Sequence, residues 1–170
     1  MPDVLPRIEA CIPALRRYAM ALLRGRQDAD DMVHDTLVRA LDRLHTRRDD
    51  GDVRAWLFAI MHNLFISRLR RHRLGASYAA AREPEDVAVA ADQEGRLRWR
   101  DLLNALDSLA PEQRQVILLV AVEDLTYAEV AHVLNIPIGT VMSRLARGRE
   151  RLRALAAVPE PARPGLRRVK

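Results

Sequence analysis

The hydrophobic positions of the chain follow a helical period along most of its length. In the first quarter, apolar residues recur every three or four positions in two successive segments. The first segment ends at Gly25 and contains Pro13, for which we expect a kink or a late helix start. Asp28 can cap the second segment, whose apolar series continues to Leu44. The pattern therefore predicts two amphipathic helices.

A third segment, residues 53–73, is apolar almost all round from Trp56 to Ile66 and then becomes strongly basic. A helix of this kind is normally buried between others, so we expect it at the centre of a bundle with the first two. Asn63 is the odd polar residue, and two interpretations are open: a satisfied core amide, or a group at the rim that hydrogen-bonds a base. The basic residues that follow have no acid among them, which suits a phosphate backbone; they are Arg68, Arg70, Arg71 and Arg73.

The composition changes after residue 73, where alanine becomes frequent and the acids between residues 83 and 94 have no base among them. This composition predicts a flexible linker whose negative charge keeps it away from DNA. Helical periodicity then resumes, and Pro111 suits the start of another helix. The fold class is all-α, with two small helical domains joined by a flexible linker. The predicted parts are a helical bundle at 1–73, an acidic linker at 74–96, a second helical domain at 97–158 and a disordered basic tail at 159–170.

Residues 125–153 have the pattern of a helix-turn-helix. Thr126 and Glu129 form a capping box, which satisfies the free N–H groups where a helix begins. Asn135 tolerates the left-handed conformation that ends a helix, and Pro137 suits the first turn of the next one. Two helices with so short a connection cross at a steep angle, which presents the second helix to a DNA groove.

The second helix of this motif separates its residues into two stripes. Val141, Leu145, Gly148 and Leu152 share a packing stripe, in which Gly148 allows a neighbouring helix to approach closely. The other stripe offers hydroxyl and guanidinium donors, which bind phosphates and read guanine edges. It comprises Thr140, Arg144, Arg147 and Arg151, and Ser143 flanks it. The alternative is a solvated basic helix in a bundle, but the capped turn and the preceding short helix favour a DNA-reading module.

The composition agrees with a nucleic-acid partner. The chain has 28 Lys and Arg against 23 Asp and Glu, and this modest positive charge favours a polyanion. No apolar run of membrane-spanning length and no signal segment is present, so we predict a cytoplasmic protein without membrane insertion. The lone Cys11 excludes an internal disulfide and a multi-cysteine zinc site, and we expect it to be a small core residue.

The outer face of the second predicted helix is acidic. Asp residues near a helix start are favoured by the macrodipole, which is a sufficient structural reason for them. Asp31, His34 and Asp35 also have the spacing of metal ligands, although a site would need further ligands from elsewhere. We favour an acidic docking face for a basic partner helix. Nothing resembles a nucleophile elbow, a phosphate loop or paired acid–base carboxylates, so we predict neither an enzyme nor a cofactor.

Taken together, these motifs resemble those of the bacterial extracytoplasmic-function sigma factors. Residues 28–40 resemble the polymerase-binding helix of that family, and residues 54–71 resemble the segment that opens and reads the minus-ten promoter element. Residues 108–153 resemble the domain that reads the minus-thirty-five element, with the distinctive Gly139, Thr140 and Val141 followed by Ser143, Arg144 and Arg147. The chain departs from the family pattern at His34, Val53 and Ser67.

The resemblance implies an alternative sigma factor that binds core RNA polymerase and promoter DNA, initiates transcription of a stress or signal-responsive regulon and is held inactive by an anti-sigma factor. It implies core binding by Asp30, Asp31, Val33, His34 and Asp35, minus-ten binding by Asn63, Arg68, Arg70 and Arg71, and minus-thirty-five binding by Thr140, Ser143, Arg144, Arg147 and Arg151. Two alternatives stay open. One is a stand-alone helix-turn-helix regulator with a partner-sensing bundle, and the other is a metal-dependent helical enzyme that uses His34.

Overall fold

The computed structural model describes residues 4–23, 25–47, 51–75 and 104–156. Within these ranges every regular element is helical, which confirms the all-α prediction. Most of the predicted linker and the whole predicted tail lie outside the described residues.

The described elements form an N-terminal and a C-terminal module. The N-terminal module consists of α1 (Val4–Leu23), α2 (Arg26–Asp42), a 3₁₀ turn (Leu44–Thr46) and α3 (Val53–Gly75). The C-terminal module consists of α4 (Pro111–Ile117), a π-helical turn (Leu118–Val122), α5 (Tyr127–Leu134) and α6 (Ile138–Ala156), preceded by helical residues 104–107.

Helix α3 is the centre of the N-terminal module, as its apolar sequence predicts. It packs against both α1 and α2, and it buries Leu57, Phe58 and Met61 completely. The ring of Phe58 meets that of Tyr18 on α1 edge to face, with the centroids 5.3 Å apart. Such a geometry places the positive edge of one ring on the negative face of the other.

Of the kink and the late helix start expected at Pro13, the late start is wrong, and so is the cap expected at Asp28. Helix α1 begins at Val4 and runs through Pro13, so the proline does not delay the start, although it removes one backbone donor. Helix α2 begins at Arg26, and Gly25 occupies the cap position without a side-chain hydrogen bond. Asp28 therefore lies within the first turn of α2, where its charge still favours the macrodipole.

The two modules are in contact. Helix α3 packs against α5, and α1 meets the π-helical turn. The buried apolar residues of both modules belong to one cluster, which runs from Ile8 in α1 to Leu145 in α6. The sequence predicted two domains on a tether, and this shared core is a feature that the sequence pattern did not indicate.

Candidate nucleic-acid interface

The first helix of the helix-turn-helix, α5, begins with the predicted capping box and ends at the predicted residue. The N–H of Glu129 donates to the hydroxyl oxygen of Thr126 at 3.3 Å, and the N–H of Thr126 donates to the Glu129 carboxylate at 2.7 Å. Asn135 ends α5 in the left-handed conformation, with φ 53° and ψ 50°. The carbonyl of Pro137 accepts from the N–H of Thr140 at 2.9 Å, so Pro137 stands just before α6 rather than in its first turn. Both helix ends are thus specified by local chemistry.

The packing stripe of α6 is confirmed. Val141, Leu145 and Gly148 are buried, and Leu152 is half-buried. A methyl group added at Gly148 would lie 2.5 Å from the Cδ1 atom of Ile117 in α4, closer than two carbon atoms can approach. The glycine therefore permits α4 and α6 to cross at short distance, and this crossing fixes which face of α6 points away from the module.

The face of α6 that carries the predicted donors lies about a quarter turn around the helix from the packing stripe. Ser143, Arg147 and Arg151 are exposed, and Thr140 and Arg144 are partly exposed. Within residues 104–156 and the other described ranges, no carboxylate forms an ion pair with Arg144, Arg147 or Arg151. The Ser143 hydroxyl donates to the carbonyl of Thr140 at 3.1 Å, which leaves its oxygen free to accept from a base amino group. The face therefore offers three guanidinium groups to a polyanion.

The predicted DNA-binding residues of α3 differ in their exposure and in their hydrogen-bond partners. Asn63 is exposed, so the interpretation of this residue as a core amide is wrong. Arg70 and Arg71 are exposed as well, and Arg71 reaches the carbonyl of Ser67 at 3.4 Å. Arg68, in contrast, donates to the Asp35 carboxylate of α2 at 2.7 Å. A predicted DNA-binding residue is thus paired with a predicted polymerase-binding one.

Some carboxylates on the acidic face of α2 form ion pairs with arginines of the same chain. The Asp30 carboxylate accepts from Arg16 at 2.9 Å, whereas Asp31 and His34 are exposed. Val33 is only 4% exposed and packs in the core, so the structure does not present it to a partner. Among the residues that the structure describes, no three metal-ligating side chains come together.

Two features of the described residues were not predicted from the sequence. Val38 and Leu41 on α2 and Ile138 and Met142 on α6 are apolar residues that are 43–52% exposed. Their spacing of three or four residues was the available signal. The second feature is Glu123, a fully buried carboxylate that pairs with two arginines of the N-terminal module. Nothing in the local sequence indicates that pairing.

Comparison with known proteins identifies the family. Residues 8–62 match the family model described as the Sigma2 domain of PhyR, and residues 99–152 match the model of Sigma-70, region 4. The chain is 33% identical over 151 residues to the ECF RNA polymerase sigma factor EcfG of Rhodopseudomonas palustris (strain TIE-1), covering 89% of this chain and 83% of that protein. The chain belongs to the ECF RNA polymerase sigma factors.

Two further comparisons support the assignment to this family. This sigma factor is 35% identical over 144 residues to the ECF sigma factor SigE of Mycolicibacterium smegmatis, covering 81% of this chain and 55% of that protein. Its structure is similar to that of the sigma factor RpoE from Bartonella quintana, solved in complex with the anti-sigma factor NepR. The TM-score is 0.81 at 32% identity, with 94% of this chain and all of that chain covered. In the described ranges, no helix of this sigma factor has the length and apolarity needed to span a membrane.

Proposed function

We propose that this sigma factor acts in the cytoplasm, where it directs core RNA polymerase to the promoters of a stress or signal-responsive regulon. In this proposal α6 reads the minus-thirty-five element and α3 reads the minus-ten element. The observation that carries it is the exposed basic face of α6, whose arginines have no intramolecular ion pair in the described residues, and which follows a helix, α5, that is capped at both ends. The chemistry of transcription belongs to the polymerase, and the sigma factor supplies recognition and strand opening.

Recognition of the minus-thirty-five element would rest on Arg144 and Arg147. They lie three residues apart and project from one face of α6. An arginine can donate two hydrogen bonds to one guanine edge, and each such pair contributes about 1–3 kcal/mol of discrimination. Arg151 lies one turn further along the helix and suits a phosphate, while Thr140 and Ser143 contact the duplex near the start of α6.

Recognition of the minus-ten element would rest on the exposed part of α3. The amide of Asn63 has both donors and an acceptor, so it can hydrogen-bond the edge of a base that has left the stack. Arg70 and Arg71 lie two turns further along and can neutralise phosphates of the same strand. Ser67, between them, donates its hydroxyl proton to the backbone carbonyl of Asn63 at 2.8 Å, which leaves the Asn63 side-chain amide available.

Docking on the polymerase would use the acidic residues of α2, and the buried Val33 would take no part in the contact. Asp31 and His34 are accessible at once, whereas Asp30 and Asp35 must leave Arg16 and Arg68 to reach a basic partner. The Arg16–Asp30 pair is exposed, and such pairs contribute only about 0–1 kcal/mol, whereas the Arg68–Asp35 pair is partly buried. Transfer of Asp35 to the polymerase would release the Arg68 guanidinium for promoter DNA.

An anti-sigma factor is the expected regulatory partner. The similar sigma factor RpoE of Bartonella quintana was solved with the anti-sigma factor NepR. A partner that covered the exposed apolar residues of α2 and α6, Val38, Leu41, Ile138 and Met142, would hide both docking and DNA-binding surfaces.

The proposed function is tested by run-off transcription with purified core RNA polymerase on a fragmented genomic library, with and without this protein. We expect discrete new transcripts that depend on the protein. If the protein does not bind core polymerase in the same preparation, the proposed function is overturned and a stand-alone regulator becomes the better interpretation.

A further inference from the structure

Glu123 is a charged residue buried at the contact between the two modules. It follows the π-helical turn of the C-terminal module, and its side chain is 0% exposed. Arg17 of α1 donates to it twice, through Nε at 3.3 Å and through a terminal nitrogen at 3.0 Å. Arg54 of α3 donates to the same carboxylate at 2.8 Å. Three hydrogen bonds from two cations therefore compensate one buried anion.

Both cations belong to the other module. A buried carboxylate without a partner is strongly unfavourable, because it loses its hydration without gaining an opposite charge. Removal of one partner of such a pair is far more costly than the net free energy of forming it. Glu123 can therefore stay buried only while the N-terminal module is in place, and separation of the modules must return it to water.

One of the two arginines, Arg54, lies against the core of the N-terminal module. The Arg54 guanidinium lies 5.9 Å from the ring of Phe58, which packs edge to face on Tyr18. Burial and the negative charge of Glu123 both raise the pKa of Tyr18, so its hydroxyl stays protonated beside the carboxylate. The buried rings of Phe58 and Tyr18 thus lie beside the ion pairs, whereas Arg17 itself is half exposed.

The contact between the two modules limits how far apart they can bind along DNA. The minus-ten and minus-thirty-five elements lie about 25 base pairs apart, which is roughly 85 Å along B-form DNA. In the structure α3 packs directly on α5, and packed helices lie about 8–10 Å apart. Modules in this contact cannot occupy both elements at once, so promoter recognition requires their separation.

We infer that Glu123, Arg17 and Arg54 form an ionic latch that holds this sigma factor in a closed, self-inhibited form. Its opening releases Glu123 to water and frees the modules to bind the two promoter elements. The consequence for transcription rests on the proposed function, whereas the closure itself does not. The packing of α3 on α5 contributes to the closed form, and the ion pairs make it possible for Glu123 to stay buried there, so their loss favours separation of the modules.

The test uses the full chain and measures the radius of gyration by small-angle X-ray scattering. Glu123→Gln keeps the size of the side chain and removes its charge, and Arg17→Gln removes two of the three hydrogen bonds from the other module. We expect both variants to be more extended than the wild type. The matched control is Asp124→Asn, since Asp124 is the exposed neighbour and asparagine tolerates its φ of 51°.

Unchanged scattering for both variants, or equal extension in the Asp124→Asn control, would overturn the latch. If Glu123→Gln impairs folding of the C-terminal module, Arg17→Gln decides the question, because Arg17 lies in the other module and is half exposed. Both open variants should also give severalfold more transcript at limiting protein with core polymerase. Extension without any transcript from wild type or variants would support the latch and contradict the proposed function.

Discussion

Gly148 is placed where α4 and α6 cross, and its replacement by alanine measures how tightly they pack. The new methyl would lie 2.5 Å from Ile117 Cδ1 and 3.4 Å from Gln113 Cβ. Relaxed carbon contacts are about 3.5–4.0 Å, so the buried Ile117 side chain must move by roughly 1 Å or change rotamer. Overpacking of this kind costs about 1–3 kcal/mol, whereas alanine gains about 1 kcal/mol over glycine inside a helix. We expect Gly148→Ala to lower the free energy of unfolding by about 0–2 kcal/mol.

Gly139 is the matched control, because it lies in the same helix and a methyl added there meets nothing within 4 Å. Gly139→Ala should therefore raise the stability by up to about 1 kcal/mol. Both substitutions replace glycine with alanine in α6, although Gly139 lies in its first turn, so most of their difference of about 1–3 kcal/mol reports the packing at the crossing. Urea unfolding followed by circular dichroism measures both. Equal stabilisation by the two substitutions would refute the close approach of α4 and α6.

Three further predictions concern single side chains. Thr126→Ala removes the cap of α5 and should lower the free energy of unfolding by about 1 kcal/mol, measured by urea unfolding; no loss would contradict the capping box. Burial lowers the pKa of His62, so the native state holds it neutral while the unfolded state takes up a proton below its ordinary pKa of 6.5. Stability should therefore fall as the pH drops from 7 to 5, and His62→Gln should flatten that urea-unfolding profile; an unchanged profile would contradict the burial. Asp35→Asn should weaken binding to core polymerase but not to a single-stranded minus-ten oligonucleotide, measured by fluorescence anisotropy; weaker oligonucleotide binding would instead make Asp35 a positioning residue for Arg68.

The sequence predicted most accurately the features that depend on neighbouring residues. The Thr126–Glu129 capping box, the left-handed Asn135 and the close packing at Gly148 all follow from spacings of a few residues or from one residue's conformational range. The helical period likewise assigned the packing and outward stripes of α6. Local chemistry was therefore enough to define the helix-turn-helix and its basic face.

Features that depend on distant residues were not predictable in this way. The buried Glu123 has partners 106 and 69 residues away, and no local pattern connects it with Arg17 or Arg54. Pro13 was expected to disturb α1, but Ile8 and Leu15 on either side are buried, so tertiary packing outweighs the lost hydrogen bond. Val33 fits the apolar period as well as the docking motif, and only its burial decides between the two.

The most direct test of the central claim compares two double variants in transcription with core polymerase from a promoter that this protein recognises. Arg144→Ala/Arg147→Ala removes the two central guanidinium groups of the outward face. Arg149→Ala/Arg153→Ala removes the same charge from exposed residues on another face of α6. Two lost guanine contacts predict a decrease of about 30-fold or more for the first variant, against a small decrease for the second. An equal decrease in both variants, or none in either, would contradict recognition of the promoter by this face of α6.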